Sequence, residues 1–169
     1  MKSVLITGSS GFIGKNLIKK FDGKYKLFCF DKQNCDLKLK KKFPKVDIVI
    51  HLAAFNSTKD FYNKPLEVIE DNLIPTLNLL NYYRRQKKKP LFIYTGTPEI
   101  GVGATDRFNY KIPTNEKVPM VIDDIQNLRW SYATSKGLGE QAIVASKLKY
   151  IIIRPHNIYG PDQKDHFVP

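Results

Sequence analysis

The sequence predicts an α/β fold in which a doubly wound parallel sheet has helices on both faces. Short apolar runs alternate with longer amphipathic runs along the chain, which is typical of parallel strands joined by crossover helices. One run, at residues 47–52, is continuous and rich in β-branched side chains, so we expect this strand to be buried on both faces. A glycine-rich turn directly follows the first apolar run and opens a helical pattern.

Five strands and three long helices are predicted in alternation. The strands are predicted at residues 4–6, 26–30, 47–52, 91–95 and 150–154, and the helices at residues 12–21, 66–85 and 131–147. Pro75 lies inside the second helix, where we expect it to kink the helix or mark a break. Residues 96–130 show no sustained periodicity, so we expect a long functional or mobile connection. All 169 residues are expected to form one domain.

Bulk composition limits the class of protein and its partners. Hydrophobic residues make up 42% and charged residues 26% of the chain, and no run approaches the roughly 18 apolar residues that span a membrane. The net charge is +12, with lysine-rich runs at residues 38–42 and 84–89. Such runs can indicate nucleic acid or an anionic membrane, but with few interleaved aromatics they fit a solvated surface better. We expect no nucleic-acid or membrane partner.

The N-terminus and the two cysteines indicate a cytoplasmic protein. The apolar start is only three residues long before Thr7 and Gly8 interrupt it, which is too short for a secretory signal. Cys29 and Cys35 have no Cys or His partners at metal-ligand spacing, so we expect ordinary thiols and no metal site.

The segment T-G-S-S-G-F-I-G at residues 7–14 has the features of a phosphate-binding turn. Glycines there allow a tight turn, close approach of backbone to a pyrophosphate, and close packing of helix on strand. The helix N-terminus offers free N–H groups and a partial positive charge to phosphates. The spacing departs from the commoner G-x-G-x-x-G, and a plain strand–turn–helix is the alternative. The predicted cofactor contacts in this segment are Gly8, Gly11, Phe12, Ile13 and Gly14.

Asp31 ends the second predicted strand, about 20 residues after the middle glycine. A carboxylate at this place hydrogen-bonds ribose hydroxyls and repels a 2′-phosphate, which favours NAD over NADP. Lys32 follows immediately and would soften that preference. An Asp that closes a strand is also a common turn residue. Together, the turn and Asp31 predict a Rossmann-like unit that binds NAD.

Tyr132 and Lys136 are spaced to lie on one face of a helix, one turn apart. A free phenol has a pKa near 10 and is a poor base at neutral pH. A neighbouring ammonium and a cationic nicotinamide would lower that pKa, so that the tyrosine could take a proton from a sugar hydroxyl. Taken alone, Y-x-x-x-K fits a surface pair. Beside an NAD turn, it favours catalysis.

The chain resembles the extended short-chain dehydrogenase/reductase family, the NAD-dependent epimerases and dehydratases of nucleotide sugars. The matching segments stand in the family's order along the whole chain. They are T-G-S-S-G-F-I-G at residues 7–14, Asp31, D-L at Asp36 and Leu37, H-L-A-A at residues 51–54, Asn72, Y-T-G-T-P-E at residues 94–99, Y-A-T-S-K at residues 132–136, and R-P-H-N-I-Y-G-P at residues 154–161.

The resemblance implies a role for each segment. The D-L pair contacts the adenine, the H-L-A-A turn lies along the cofactor, and Asn72 lies near its nicotinamide half. The final segment forms a crevice between the cofactor and the nucleotide-sugar phosphate. His51 lies in a buried strand end and is expected to be structural. The further cofactor contacts are Lys32, Asp36, Leu37, Leu52, Ala53, Ala54, Asn72, Thr95, Tyr132, Lys136, Pro155 and Asn157.

The third catalytic residue that the resemblance implies is Thr97, whose hydroxyl would orient the reacting oxygen. Thr95 is the competing register. Dehydratases of this family use an adjacent Asp-Glu pair as acid and base. Pro98 occupies the Asp position here and cannot donate a proton, so with Glu99 alone we expect 4-epimerisation rather than 4,6-dehydration. The predicted substrate contacts are Thr97, Pro98, Glu99 and Asn157.

The implied activity is epimerisation of a nucleotide sugar by transient oxidation, with NAD held as a prosthetic group. A 4,6-dehydratase and a keto-sugar reductase are alternative enzymes, and a cofactor-sensing binding module is the alternative without catalysis. The family continues into a smaller substrate domain, so we expect a chain truncated before it, with little epimerase activity alone. The resemblance also implies a homodimer formed through the two long helices.

Overall fold

The computed structural model describes residues 1–161 and residue 163. Its strands form one sheet that is parallel throughout, in the order β2-β1-β3-β4-β5. The elements are β1 (Ser3–Thr7), α1 (Phe12–Phe21), β2 (Lys26–Phe30), β3 (Ile48–His51), α2 (Thr58–Asn63), α3 (Pro65–Tyr83), β4 (Leu91–Thr95), a 3₁₀ turn (Pro98–Gly101), α4 (Val102–Phe108), α5 (Trp130–Ser146) and β5 (Lys149–Ile153). The predicted doubly wound α/β class is confirmed.

Two apolar cores lie on opposite faces of the sheet. On one face, side chains of α1 pack against Val4, Ile6 and Ile50. On the other face, α3 and α5 pack against each other and over the strands. Alternate side chains of β3 enter the two cores, which confirms that this strand is buried on both faces. The residues of the larger core are Leu5, Leu37, Phe43, Val46, Val49, Leu79, Leu80, Tyr83, Phe92, Tyr94, Ile143 and Leu148.

The structure differs from the predicted elements at three places. The helix α3 runs without a break through Pro75, so of the two expected outcomes the break is wrong and the kink stays a prediction. The ring removes one N–H from the helix, but Pro75 is buried and α3 is held by its packing against α5. The predicted connection at residues 96–130 contains a 3₁₀ turn and α4. Helix α2 was not predicted because six residues are too short to show a helical period.

The last strand, β5, forms one edge of the sheet and is largely exposed. Ile151 is 46% exposed and Ile153 is 47% exposed, although both belong to an apolar run.

Within the part of the chain that the structure describes, no helix is long and apolar enough to cross a membrane. The same residues contain no group of three or more His, Cys, Asp or Glu side chains that could hold a metal ion.

Candidate active site

The glycine turn at residues 7–14 joins the end of β1 to α1. Gly8 has a φ of 69°, which favours glycine. A Cβ on Gly14 would lie 2.3 Å from the carbonyl oxygen of Gly8, so strand and helix can approach this closely only without a side chain there. Gly11 provides no side-chain cap for α1, and the first helical turn has no acidic residue. No side chain of the helix therefore neutralises the partial positive charge at the N-terminus of α1, where an anionic ligand can bind.

Asp31 lies beside this turn at the end of β2. Its Oδ2 accepts a hydrogen bond from the backbone N–H of Ser10, with an N–O distance of 3.0 Å. The backbone N–H of Asp31 donates to Oδ1 of Asn34 at 2.8 Å. These bonds hold the carboxylate next to the phosphate-binding turn, which is where the sequence predicted a contact with ribose.

A cavity of about 380 Å³ lies between the glycine turn, the loop after β2 and helix α3, within the usual range for ligand pockets. Glycines, a helix N-terminus and a carboxylate meet in it, so its residues fit a dinucleotide. Phe55, Asp71 and Pro75 complete part of its wall. The predicted cofactor residues that line it are Gly8, Gly11, Asp31, Lys32, Asp36, Leu37, Leu52, Ala53 and Ala54. The other predicted contacts, including Asn72, Thr95, Pro155 and Asn157, are not part of this lining.

Tyr132 and Thr97 come together beyond the carboxyl end of β4. The hydroxyl of Thr97 lies close enough to the phenol of Tyr132 to lower its pKa, and both residues are buried. Thr95 instead donates from its Oγ1 to the carbonyl oxygen of His51 at 3.0 Å. The geometry therefore favours Thr97 over Thr95 as the partner of the tyrosine.

Residues from α2 and the segment before α5 cover Tyr132. The ring of Phe61 stacks on it, with 4.8 Å between ring centroids. The guanidinium of Arg129 lies 4.9 Å from the Phe61 ring centroid, and its Nη1 donates to Oε2 of Glu99 at 2.7 Å. Burial raises the pKa of Tyr132 to about 12, and Glu99 acts in the same direction. The nearby hydroxyl of Thr97 and the charge of Arg129 oppose this increase in pKa.

Lys136 lies one helical turn after Tyr132 and is only 2% exposed. Its Nζ is 4.4 Å from the centroid of the Tyr94 ring. Burial lowers the pKa of Lys136 to about 7, and the carboxylate of Glu140 acts in the opposite direction. Lys136 is not among the main groups that shift the pKa of Tyr132. Burial and Glu99 outweigh the opposing contributions in this structure, and a lower pKa in the presence of the ammonium and a cationic nicotinamide stays a prediction.

A partly buried ion pair fixes the segment after β5 to helix α5. Arg154 donates from Nε to Oε1 of Glu140 at 3.0 Å and from Nη2 to Oε2 at 2.6 Å. This two-point contact sets the direction of the chain that follows. A Cβ on Gly160 would lie 3.4 Å from the ring of Phe12, so the segment passes close to the start of α1. The predicted contacts in this segment are the half-buried Pro155 and the exposed Asn157.

His51 has the structural role that was expected. Its Nδ1 lies 2.6 Å from Oγ1 of Thr7, and its Nε2 lies 3.0 Å from Oγ1 of Thr76. Thr76 donates its own proton to the carbonyl oxygen of Asn72, so it accepts from Nε2 and leaves Nδ1 to accept from Thr7. Burial lowers the pKa of His51 to about 3. The neutral ring thus joins β1, β3 and α3.

Asn72 links the loop after β3 to helix α5. Its Oδ1 accepts from the backbone N–H of Phe55 at 2.8 Å, and its Nδ2 donates to Oγ of Ser135 at 3.2 Å. The side chain is 2% exposed. These bonds order the loop beside the cavity, while a contact with the nicotinamide half stays a prediction.

Sequence reasoning missed four residues around the site, and one of them had a usable signal. Glu140 follows Lys136 by four residues, the same spacing that placed Tyr132 and Lys136 on one helix face. The other three are Phe61, Asp71 and Arg129. Phe61 and Asp71 lie far from their partners in the sequence, and no local pattern distinguishes Arg129.

The fold and the site together define a class of protein: a Rossmann-like sheet with a dinucleotide cradle and a buried Thr–Tyr–Lys group. The sequence model of the NAD dependent epimerase/dehydratase family matches residues 4–169, and the chain belongs to this family. NAD is its cofactor. The resemblance to nucleotide-sugar epimerases and dehydratases is thereby confirmed.

Relatives in this family carry out different reactions. The chain is 31% identical over 198 residues to a dTDP-D-glucose 4,6-dehydratase of Dictyostelium discoideum, covering 96% of this chain and 45% of that protein. It is 30% identical over 194 residues to a UDP-N-acetyl-alpha-D-glucosaminuronate decarboxylase of Bacillus cytotoxicus, covering 97% of this chain and 57% of that protein. The reaction is therefore not fixed by family membership.

The fold is also that of a solved epimerase. A UDP-N-acetylglucosamine 4-epimerase from Methanobrevibacter ruminantium, solved with UDP-N-acetylmuramic acid, superposes with a TM-score of 0.78 at 21% identity. The match covers 98% of this chain and 58% of that one. The chain spans about half the length of the curated relatives it matches.

Proposed function

We propose that this chain carries the NAD-binding and proton-transfer residues of a nucleotide-sugar epimerase. The observation that carries the proposal is the burial of Tyr132 one helical turn from the buried Lys136, with Thr97 near the phenol. These groups lie at the same carboxyl edge of the sheet as the glycine turn, where ligands of such sheets bind. Tyr132 as proton acceptor and bound NAD as hydride acceptor could therefore reach the same substrate molecule.

Tyr132 removes the proton from a sugar hydroxyl, and Thr97 orients the same oxygen by a hydrogen bond. Gly8, Gly11 and Asp31 would hold the NAD, which would supply reversible hydride acceptance at the carbon that bears this oxygen. Inversion of that carbon requires the hydride to return to the opposite face of the ketone. Tyr132 then gives the proton back to the oxygen. Lys136 follows one helical turn after Tyr132, and Glu140 favours its protonated form, in which it would add to the positive charge that a bound nicotinamide places near the phenol. The cycle leaves the sugar with one inverted carbon and consumes no cofactor.

The residues after Thr97 support epimerisation over dehydration. Loss of water needs an acid for the leaving hydroxyl and a base for the neighbouring carbon. Pro98 has no proton to donate, and the carboxylate of Glu99 is bound to the guanidinium of Arg129. The transient ketone needs neither group.

The test is incubation of the full-length protein with a panel of UDP-, dTDP- and GDP-sugars, followed by NMR of the products. We expect one sugar to be converted to its 4-epimer without net change in NADH absorbance. A 4-keto-6-deoxy product would replace the proposal with a dehydratase, and stoichiometric NADH consumption would replace it with a reductase. NAD binding without turnover of any sugar would favour a cofactor-sensing module.

A further inference from the structure

A carboxylate of helix α3 binds two lysines across the cofactor cavity. Oδ2 of Asp71 lies 3.3 Å from Nζ of Lys32, and Oδ1 lies 2.5 Å from Nζ of Lys38. The Asp71 side chain is 17% exposed, against 28% for Lys38 and 75% for Lys32. All three residues line the cavity that also holds Asp31. The bridge therefore belongs to the wall of the predicted cofactor site.

The two ion pairs of Asp71 with Lys32 and Lys38 contain a charged carboxylate, and both helix α3 and the loop after β2 hold them in place. Burial alone would raise the pKa of Asp71, but the ion pairs with Lys38 and Lys32 outweigh it and lower that pKa. The loop that carries the lysines is held to α3 by Asn78, whose Nδ2 donates to the carbonyl oxygens of Leu37 and Lys38 at 2.9 Å each. The two ammonium groups are thus held beside α3 by the fold.

The charges of the cavity decide which cofactor it accepts. Its lining has three carboxylates (Asp31, Asp36 and Asp71) and two ammonium groups (Lys32 and Lys38), a formal charge of −1. NADP differs from NAD by a phosphate on the ribose 2′-oxygen, at the end of the site that Asp31 is predicted to occupy. Lysines near that oxygen would bind such a phosphate if they were free.

We propose that Asp71 determines the preference for NAD, because it holds Lys32 and Lys38 away from a 2′-phosphate. This inference rests on the NAD site of the proposed function and adds a second carboxylate to Asp31. Asp31 repels the phosphate directly, whereas Asp71 removes the cations that would attract it. Asp71 is therefore a specificity-determining residue on an element remote from β2.

The test is calorimetric binding of NAD and NADP to the Asp71→Asn variant of the full-length protein. We expect NADP to bind about tenfold more tightly than to the wild type, since two ammonium groups are released, with NAD affinity little changed. The gain should shrink in high salt, because Lys32 is exposed. Glu70→Gln is the matched control: Glu70 is the adjacent carboxylate and lies 3.9 Å from Nζ of Lys38. An equal gain in this control would overturn the proposal, as would no gain in Asp71→Asn.

A second variant serves if Asp71→Asn fails to fold. Lys32→Gln changes an exposed side chain and should leave the ratio of NADP to NAD affinity within about twofold of the wild type, because Asp71 already neutralises Lys32. A tenfold loss of NADP affinity would mean that Lys32 binds the phosphate in the wild type, and would overturn the proposal. Failure of the wild type to bind NAD would instead refute the cofactor site itself.

Discussion

The two halves of the sheet carry their functional groups in different ways. In the half formed by β1, α1 and β2, the groups are mainly backbone N–H, glycine and one carboxylate, all within residues 7–31. In the half formed by β4 and α5, they are buried side chains that meet from separate segments. Thr97, Tyr132 and Lys136 are joined there by Phe61 and Glu140.

This difference has a physical consequence for each half. A backbone cradle depends on shape, so it is sensitive to added volume and insensitive to protonation. A buried side-chain site depends on charge, because burial shifts the pKa values of Tyr132 and Lys136 in opposite directions. Added volume should therefore disturb the glycine turn, and a change of charge should disturb the buried catalytic side chains. In the cofactor half, a change of charge should act on the choice between NAD and NADP.

The largest effect is expected from Tyr132→Phe in the catalytic half. The ring can still stack on Phe61, but the group that moves the proton is gone, so turnover should fall about 10³-fold. The measurement is the steady-state rate of the full-length protein with the sugar that the substrate panel identifies. Tyr150→Phe, on the exposed edge strand, is the control and should keep its rate. A Tyr132→Phe enzyme with near wild-type turnover would refute the assignment.

The next effect is expected from Gly14→Ala in the cofactor half. The new Cβ would lie 2.3 Å from the Gly8 carbonyl oxygen and 2.8 Å from Cα of Ser9, so backbone must move and the turn opens. Unfolding free energy should fall by about 1–3 kcal/mol, and NAD should bind at least about tenfold more weakly. Urea unfolding and calorimetry measure the two quantities.

The sign of the change in unfolding free energy is informative, because alanine normally stabilises a helix relative to glycine by about 0.5–1 kcal/mol. A loss of stability in Gly14→Ala would therefore come from the close approach of α1 to β1. Lys15→Ala, at the next and exposed position of α1, is the control and should leave NAD affinity unchanged. Wild-type affinity in Gly14→Ala would show that close contact of α1 with β1 is not required for binding.

The cofactor half was predictable from sequence because its parts are local. The turn, α1 and β2 follow each other, and the bounds predicted for α1 and β2 are those of the structure. Asp31 could be placed because a strand end has a fixed position relative to the preceding turn. The position of Asp71 could not be predicted, because only the packing of α3 brings this residue to the cavity.

The catalytic half was predictable only in part. Periodicity placed Tyr132 and Lys136 on one helix face, and the family motif favoured Thr97 over Thr95. The electrostatics were not predictable, because they depend on the depth of burial and on partners from other elements. Burial and Glu99 raise the pKa of Tyr132, which a neighbouring lysine and a bound cationic nicotinamide were expected to lower.

The smallest effect is a pH dependence of stability that comes from Lys136. Its pKa is about 7 in the folded protein and 10.5 for an ordinary lysine, so between these values the unfolded chain binds more protons. Stability therefore rises with pH in this window, by up to about 1.4 kcal/mol per pH unit. In Lys136→Met the contribution is absent, so the difference in unfolding free energy, wild type minus variant, should increase from pH 7 to pH 9.

Urea unfolding at half-unit pH intervals measures this difference. Cys29 and Cys35 have raised pKa values and lower the stability of both proteins at high pH, so their contributions cancel in the subtraction. Lys149→Met, at the exposed start of β5, is the control and should follow the wild type. A difference that stays constant from pH 7 to pH 9 would mean that Lys136 is fully protonated in the folded protein. The charge-based description of the catalytic half would then be wrong at its central residue.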